Sequence, residues 1–181
     1  MNMNKFRGVA VASGLLTILC ACSQQQASQP AGTSSVPTAA ASVKSQTRPS
    51  GTVLLDVQAD NGKLPTQVGQ IVAGKGLRST GAAGELMFGP YASVAAGDYT
   101  VTVFGQFDGE QQPAQPLIID VSYAQGTKIA KSVDVQPSTA ASGQLASFDF
   151  NLPQAVSDLE IRARVADGTH VTVKGYRVVV K

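Results

Sequence analysis

The sequence has no tryptophan, one histidine and two cysteines among its 181 residues. Without tryptophan, strong binding to crystalline polysaccharide is disfavoured, because such binding depends on large aromatic faces that stack on sugar rings. Both cysteines, Cys20 and Cys22, lie near the N-terminus. The rest of the chain therefore offers no disulfide, thiol nucleophile or cysteine metal site. A zinc site built on a histidine pair is also excluded, since His170 is the only histidine.

Signals of catalysis are also missing. A Ser-His-Asp hydrolase would need His170 as its base, but the chain has no G-x-S-x-G nucleophile elbow. No pattern marks a pair of carboxylates of the kind that hydrolyses glycosides. We therefore expect a non-catalytic protein and rank a hydrolase last among the alternatives.

The charge of the chain is low and balanced. It has 14 basic and 12 acidic residues, and loss of Lys5 and Arg7 with an N-terminal signal would leave 12 of each. Nucleic-acid-binding proteins normally carry a basic patch or stripe, and none is evident in the sequence. We expect no nucleic-acid partner.

The N-terminus has the pattern of a secretory signal. Lys5 and Arg7 precede a mostly apolar run over Val9–Leu19, and small residues follow it. The run is too short for a transmembrane helix, which needs about 20 residues. We expect export of the chain and no membrane span.

The segment Leu19-Cys20-Ala21-Cys22 resembles the lipobox of bacterial lipoproteins. The resemblance implies cleavage after residue 21, acylation of Cys22 with fatty acids such as palmitate, and membrane attachment through that lipid. Ser23, with no aspartate beside the cysteine, implies sorting to the outer membrane by similarity to Gram-negative lipoproteins. The alternative is a plain signal peptide with an incidental cysteine pair.

Residues 22–50 are rich in Gln, Ser, Ala, Thr and Pro and have almost no aliphatic side chains. Such a segment cannot bury enough apolar surface to offset the entropy of ordering, so we predict a disordered linker. A coil of this length spans about 30 Å. A protein-interaction segment is the alternative. Residues 51–181 have the composition of one folded domain.

The pattern of residues 51–181 predicts an all-β domain. After the turns at Phe88–Tyr91 and Gly97-Asp98, residues 99–103 place Tyr99, Val101 and Val103 on one face and threonines on the other. Eight or nine such short strands separated by turns indicate an antiparallel β-sandwich, with a jelly roll as the preferred topology. The other predicted strands are Thr52–Val57, Gln67–Ala73, Leu117–Tyr123, Lys128–Val135, Leu145–Leu152, Leu159–Val165 and His170–Val180.

Glycine and proline positions predict the breaks between strands. Gly74–Gly84 and Phe104–Pro116 are interpreted as loops, the second alternatively as a broken strand. Asp167-Gly168 predicts a tight turn. In the last strand the apolar parity changes at Gly175, which predicts a β-bulge.

Several of these segments, taken in order, resemble a known class of module. The resemblance is to galactose-binding-like, carbohydrate-binding jelly-roll domains. Their GPY turn is matched by Met87–Tyr91, their G-x-Y strand by Ala96–Val101, their apolar-Asp-Val strand by Ile119–Val121 and their E-x-R strand by Leu159–Arg162. The resemblance implies a jelly roll and a glycan ligand. Fold alone does not fix function, so the ligand needs a site.

The candidate ligand-binding residues are aromatic or planar and polar, the side chains that contact sugars. Tyr91, in a turn, is the best candidate for exposure, whereas Phe104 and Phe107 have burial under a loop as their plainer alternative. A solvated sheet face is the plainer alternative for Glu160 and Arg162. Asp120 is expected to pair across strands with an arginine. We assign no cofactor, although Asp56, Asp60 and Asn61 carry oxygen ligands suited to calcium. The candidates are Tyr91, Phe104, Phe107, Asp120, Glu160 and Arg162.

Two functions are consistent with these features. The first is a non-catalytic envelope lipoprotein whose β-sandwich binds a glycan or surface polysaccharide. The second is a structural lipoprotein that docks a protein partner in an envelope complex. Sugar binding predicts a concave site with exposed aromatic and planar polar groups, whereas docking predicts a flatter apolar patch.

Overall fold

The computed structural model describes residues 48–109, 116–137, 140 and 143–181. In these ranges the chain forms eleven strands and no helix, so no described helix could cross a membrane. The predicted signal peptide, Cys22 and most of the predicted linker lie outside the described residues. The strands are β1 (Val53–Gln58), β2 (Gly69–Val72), β3 (Gly76–Ser79), β4 (Gly84–Met87), β5 (Pro90–Val94), β6 (Gly97–Phe107), β7 (Leu117–Tyr123), β8 (Lys128–Val135), β9 (Gln144–Leu152), β10 (Val156–Val165) and β11 (Val171–Val180).

The strands form two antiparallel sheets that we call sheet A and sheet B. Sheet A has the order β2-β3-β11-β6-β9, and β1 also pairs with β11. Sheet B has the order β4-β10-β7-β8, and β5 also pairs with β10. Strands β1 and β3 pair with successive halves of one edge of β11, as β5 and β4 do on β10.

The pairing order is that of a jelly roll. We count β1 and β3 as one position, because they share an edge of β11, and β4 and β5 as another, because they share an edge of β10. The described strands other than β2 then occupy eight positions, and β2 extends the edge of sheet A. The first position then pairs with the last, β11, and the second pairs with β10. Further inside the roll, β6 pairs with β9, and β7 pairs with β8. This nesting confirms the predicted antiparallel sandwich and its jelly-roll topology.

The core lies between the inner faces of the two sheets. On β6, Tyr99, Val101 and Val103 are buried, and Tyr99 stacks on Phe150 of β9 with ring centroids 5.4 Å apart. Tyr176 is fully buried and its hydroxyl donates to the Gly89 carbonyl at 3.3 Å. Tyr123 is partly buried against the same core. The alternation of residues 99–103 therefore predicted the buried face correctly.

The predicted bulge in the last strand is confirmed. The pairing of β11 with β6 shifts register between Val173 and Gly175. The shift explains why the apolar parity differs on the two sides of Gly175.

One predicted loop is wrong, and the other is a strand in its first part. The segment Gly74–Gly84 contains strand β3, and β6 continues through Gly105 to Phe107, which agrees with the broken-strand alternative for Phe104–Pro116. The described strands number eleven rather than eight or nine because β3, β4 and β5 were not predicted as strands. At Gly76 and Gly105 a Cβ atom would lie 2.2 Å from the carbonyl oxygens of Val173 and Thr172. Glycine is needed at these positions because neighbouring backbones approach closely, not because the chain turns.

Candidate functional site

Three of the predicted site residues come together on the outer face of sheet B. Asp120 lies opposite Arg162 in the pairing of β7 with β10, and Glu160 lies opposite Ser122. The guanidinium of Arg162 donates to both oxygens of Asp120, from Nε at 2.7 Å and from Nη2 at 3.1 Å. The predicted pairing of Asp120 with an arginine across strands is confirmed.

The turn between β7 and β8 lies against this cluster. The Asp158 carboxylate accepts hydrogen bonds from the backbone N–H groups of Ala124, at 3.1 Å, and Gln125, at 2.6 Å. A Cβ on Gly126 would lie 3.0 Å from Nη1 of Arg162 and 3.7 Å from Oε1 of Glu160. Asp120 is 2% exposed and Glu160 is 6% exposed. A ligand in solution has little access to either carboxylate, so the cluster has the geometry of an internal support.

The electrostatics of the cluster fit that role. Burial raises the pKa of Glu160, and the nearby carboxylates of Asp158 and Asp120 raise it further, while Arg162 opposes the shift. The hydrogen bond to Asp120 raises the pKa of Arg162. Among the described residues, Ser122 Oγ is buried without a hydrogen-bond partner. Arg162 is thus the cation that balances several carboxylates.

The predicted aromatic residues lie in three different places. Tyr91 is on β5, half exposed at 50%, with a backbone φ of 64°. Phe107 is the last residue of β6 rather than part of a loop, and it packs against the core. Phe104 lies on the outer face of sheet A, where the guanidinium carbon of Arg177 is 6.0 Å from its ring centroid. Of these three residues, Phe104 has the most suitable position for a ring that stacks on a sugar.

A polar cleft of about 390 Å³ lies on the outer face of sheet A, and its lining includes Gln106 but not Phe104. This volume falls within the range of about 300–1,000 Å³ that is common for ligand sites. Its lining comes from the β2–β3 hairpin, from β11 and from the end of β6. The lining residues are Val72, Gly74, Lys75, Arg78, Gln106, Asp108, Thr172 and Lys174.

Strand pairing sets the floor of the cleft. Thr172 of β11 lies opposite Arg78 of β3 on one side and Gln106 of β6 on the other. The three side chains therefore form a row across neighbouring strands. The close approach of β3 to β11 that Gly76 permits holds Arg78 in this row. Gln106 lies two residues beyond Phe104 on the same face, about 7 Å along the strand.

Asp108 fixes the polar groups at one side of the cleft. Its carboxylate accepts a hydrogen bond from Thr172 Oγ1 at 2.6 Å and one from Gln106 Nε2 at 3.3 Å. Arg78 Nε lies 3.4 Å from Oδ2 of the same carboxylate. The carboxylate thus orients three groups of the floor.

Two exposed lysines line the cleft, Lys75 and Lys174. Within the described part of the chain, they form no ion pair. The cleft can therefore offer charged donors to a ligand as well as the planar groups of its floor.

A second cavity, of about 370 Å³, lies at the other end of β6, between Leu55, Val94 and the C-terminus. Lys181 bonds to Asp149, and Asp98 accepts a hydrogen bond from Asn151 at 2.8 Å. Arg48 also lines this cavity and forms no ion pair with the described residues.

The calcium candidates do not converge in the described ranges, which hold no group of three or more acidic, histidine or cysteine side chains that could bind a metal ion. Asp56 pairs with Arg177 at 2.7 Å. The Asn61 side-chain oxygen accepts the N–H of Lys63 at 3.0 Å.

No protein-family model and no curated protein matches the chain. Among solved structures, it is similar to a carbohydrate-binding module of lichenase 5A from Cellvibrio mixtus in complex with cellotriose, at 14% identity and TM-score 0.45, over 72% of this chain and 99% of the module. It is also similar to the C-terminal module of LamC from Zobellia galactanivorans, at 10% identity and TM-score 0.46, over 69% and 98%. A third is the xylan-binding domain of Xyn10C from Paenibacillus barcinonensis, at 14% identity and TM-score 0.39, over 73% and 97%. Identities this low transfer no ligand to this chain.

Sequence reasoning missed the cleft residues other than the neighbouring Phe104. Arg78 and Gln106 fell in segments interpreted as loops, because glycine was taken there as a sign of turns. The usable signal was the parity of β6, since Thr100, Thr102, Phe104 and Gln106 continue one outward face.

Proposed function

We propose that this protein is a non-catalytic cell-envelope lipoprotein whose jelly-roll domain binds a glycan in the cleft on the outer face of sheet A. One observation carries the proposal: Arg78, Thr172 and Gln106 form a polar row across three strands, and Phe104 lies two residues from Gln106 on the same face of β6. Planar polar groups bond to sugar hydroxyls, and an aromatic ring packs on the apolar face of a pyranose. The outer face of sheet A therefore presents both kinds of group, about 7 Å apart along one strand.

The site has the composition of a binding surface rather than of a catalytic centre. Among the described residues, Asp108 is the carboxylate that lines the cleft, and it is already bonded to Thr172 and Gln106. Glycoside hydrolysis needs two carboxyl groups placed on either side of the scissile bond. Binding without turnover is therefore the function that this lining supports.

Attachment to the bacterial outer membrane through acylated Cys22 belongs to the same proposal. It rests on the lipobox-like segment at Leu19–Cys22 and on the basic and apolar residues before it. Several acyl chains give a stable anchor, because each buried CH₂ contributes about 0.8 kcal/mol. Residues 22–50 would then link the domain to the membrane.

The docking alternative has less support. The exposed large apolar side chains of the described residues are Val53, Ile71, Tyr91 and Ile129. They lie on four different strands, and Tyr91 and Ile129 are on opposite edges of sheet B. Scattered apolar residues of this kind are ordinary surface and do not form a docking patch.

Calorimetric titration of the full-length chain in detergent against a panel of bacterial and plant oligosaccharides tests the proposal. We expect binding of at least one glycan, with Phe104→Ala weakening it about tenfold, the equivalent of about 1.4 kcal/mol. Tyr91→Ala, which removes an aromatic ring from the other sheet, is the matched control. A ligand at 100 times its Kd should also stabilise the fold by about 2.7 kcal/mol in thermal melts followed by circular dichroism.

Two results would contradict the proposal. Folded protein that binds no glycan in the panel would favour the docking function, and pull-downs from native envelopes would be the next step. Binding that is lost in Tyr91→Ala and kept in Phe104→Ala would place the site on sheet B.

A further inference from the structure

The cleft is positively charged although the domain around it is neutral. The described residues include eleven basic and eleven acidic side chains. Lys75, Arg78 and Lys174 line the cleft together, with Asp108 as the one acidic residue of the lining. This local excess of positive charge is what a negatively charged ligand would select.

We propose that the glycan bound in this cleft is acidic and places a singly charged group, a uronate carboxylate or a sulfate ester, between Arg78, Lys75 and Lys174. The inference rests on the proposed glycan-binding function and specifies its ligand class. Carboxylate and sulfate present the same oxyanion chemistry to these donors.

Arg78 has the donors that such an anion needs. It meets Asp108 through Nε at 3.4 Å, and its terminal guanidinium nitrogens have no hydrogen-bond partner within the described ranges. Its side chain is 56% exposed. A guanidinium with free nitrogens can hold two oxygens of one oxyanion in a planar, bidentate arrangement.

The lysines add charge from two sides of the cleft. Lys75 belongs to the β2–β3 turn, where its N–H bonds to the Val72 carbonyl at 2.9 Å. Lys174 belongs to β11, next to the bulge at Gly175. Because neither ammonium group forms an ion pair with a carboxylate of the described residues, binding an anion breaks none of the ion pairs formed there.

Asp108 offsets part of the positive charge of the cleft. Its carboxylate lies beside Arg78 and remains part of the lining. Three basic side chains against one carboxylate among the described lining residues still leave a net positive charge that attracts an anionic group.

The test compares acidic oligosaccharides with counterparts that lack the charge. Calorimetry on the full-length chain in detergent would use oligomers of galacturonate and mannuronate with their carboxyl-reduced forms, and sulfated galactan oligomers with their desulfated forms. We expect binding of at least one acidic form and at least tenfold weaker binding of its neutral counterpart. The uronate and sulfate arms identify which anion the cleft accepts.

The double variant Lys75→Gln/Lys174→Gln assigns the effect to the cleft. Each exposed charge pair lost should weaken binding about three- to fivefold, so the double variant should lose about tenfold or more. Affinity should also fall as salt rises, since the Debye length decreases from about 8 Å at 0.15 M to about 3 Å at 1 M. Lys128→Gln/Lys131→Gln removes the same charge from β8 of the other sheet and should change nothing.

The outcomes separate this inference from the function on which it rests. Equal binding of acidic and neutral forms would overturn the inference and leave glycan binding standing. A preference for acidic forms that survives Lys75→Gln/Lys174→Gln would also overturn it, because the selecting charge would lie elsewhere. No binding of any glycan by folded protein would overturn both.

Discussion

Substitution of Arg162 by methionine tests the role assigned to the cluster on sheet B. Arg162 is only 15% exposed and Asp120 only 3%. The change keeps an unbranched side chain and removes the charge that balances Asp120 and Glu160. Loss of one partner of a buried ion pair costs about 3–5 kcal/mol, because the other charge stays buried without compensation.

The expected magnitude is large enough to measure directly. For a domain of this size, a loss of 1 kcal/mol lowers Tm by roughly 3–5 °C, so Arg162→Met should lower it by roughly 10–20 °C at pH 7. Urea unfolding followed by circular dichroism gives the free energy itself. Glycan binding by the folded variant should stay unchanged.

Arg164→Met is the matched control for this experiment. Arg164 lies on the same strand and face and pairs with Glu85 at 2.7 Å, but its side chain is 45% exposed. An exposed pair contributes about 0–1 kcal/mol, so this variant should be nearly as stable as the wild type. If Arg162→Met lost less than 1 kcal/mol, or lost glycan binding while it stayed folded, the supporting role would be refuted.

Three further predictions follow from the described residues and the N-terminal sequence. Burial raises the folded-state pKa of Glu160 above its ordinary 4.5. The wild type therefore loses stability as pH rises from 4.5 through the raised pKa. In melts at pH 4–7, the Tm of Glu160→Gln should rise relative to that of the wild type as pH increases, and a Tm difference that stays constant with pH would contradict this. Gly76→Ala should cost about 2 kcal/mol or more in urea unfolding, because the backbone φ is 120° and Val173 crowds the new Cβ, whereas Gly74→Ala has open space and should cost about 1 kcal/mol. Cys22→Ser should abolish labelling with radioactive palmitate and release the chain from the membrane fraction, and retained label would exclude acylation at Cys22.

The faces of the long strands were predictable from the sequence because alternation is a local property. Residues 99–103 and 159–165 alternate without interruption, and the structure buries the apolar side of each. The pairing of Asp120 with an arginine followed from the same pattern, since both residues lie on outward faces of apolar strands, whereas the choice of Arg162 over Arg164 depends on the register of β7 with β10. The burial of that pair was not predictable, because it depends on the turn at residues 124–127 lying against Arg162 and Glu160.

The cleft could not be predicted, because its floor is made by register rather than by a motif. Arg78, Gln106 and Thr172 come from β3, β6 and β11 and meet only through two antiparallel pairings. Strand β3 was also not predicted, and the end of β6 was interpreted as a loop or a broken strand, because these segments contain glycines. Gly76 and Gly105 have the appearance of loop residues, and the close backbone contacts that require them exist only in the folded sheet.

The two ends of the described chain meet at one pole of the sandwich. The N–H of Gly51 donates to the Val180 carbonyl at 2.7 Å, and the N–H of Val180 donates to the Thr52 carbonyl at 2.9 Å. Thr172, on the floor of the cleft, lies eight residues back along β11, roughly 26 Å away at about 3.3 Å per residue. The domain can therefore be immobilised on a sensor surface, or fused to a reporter, through either terminus while the cleft points into solution.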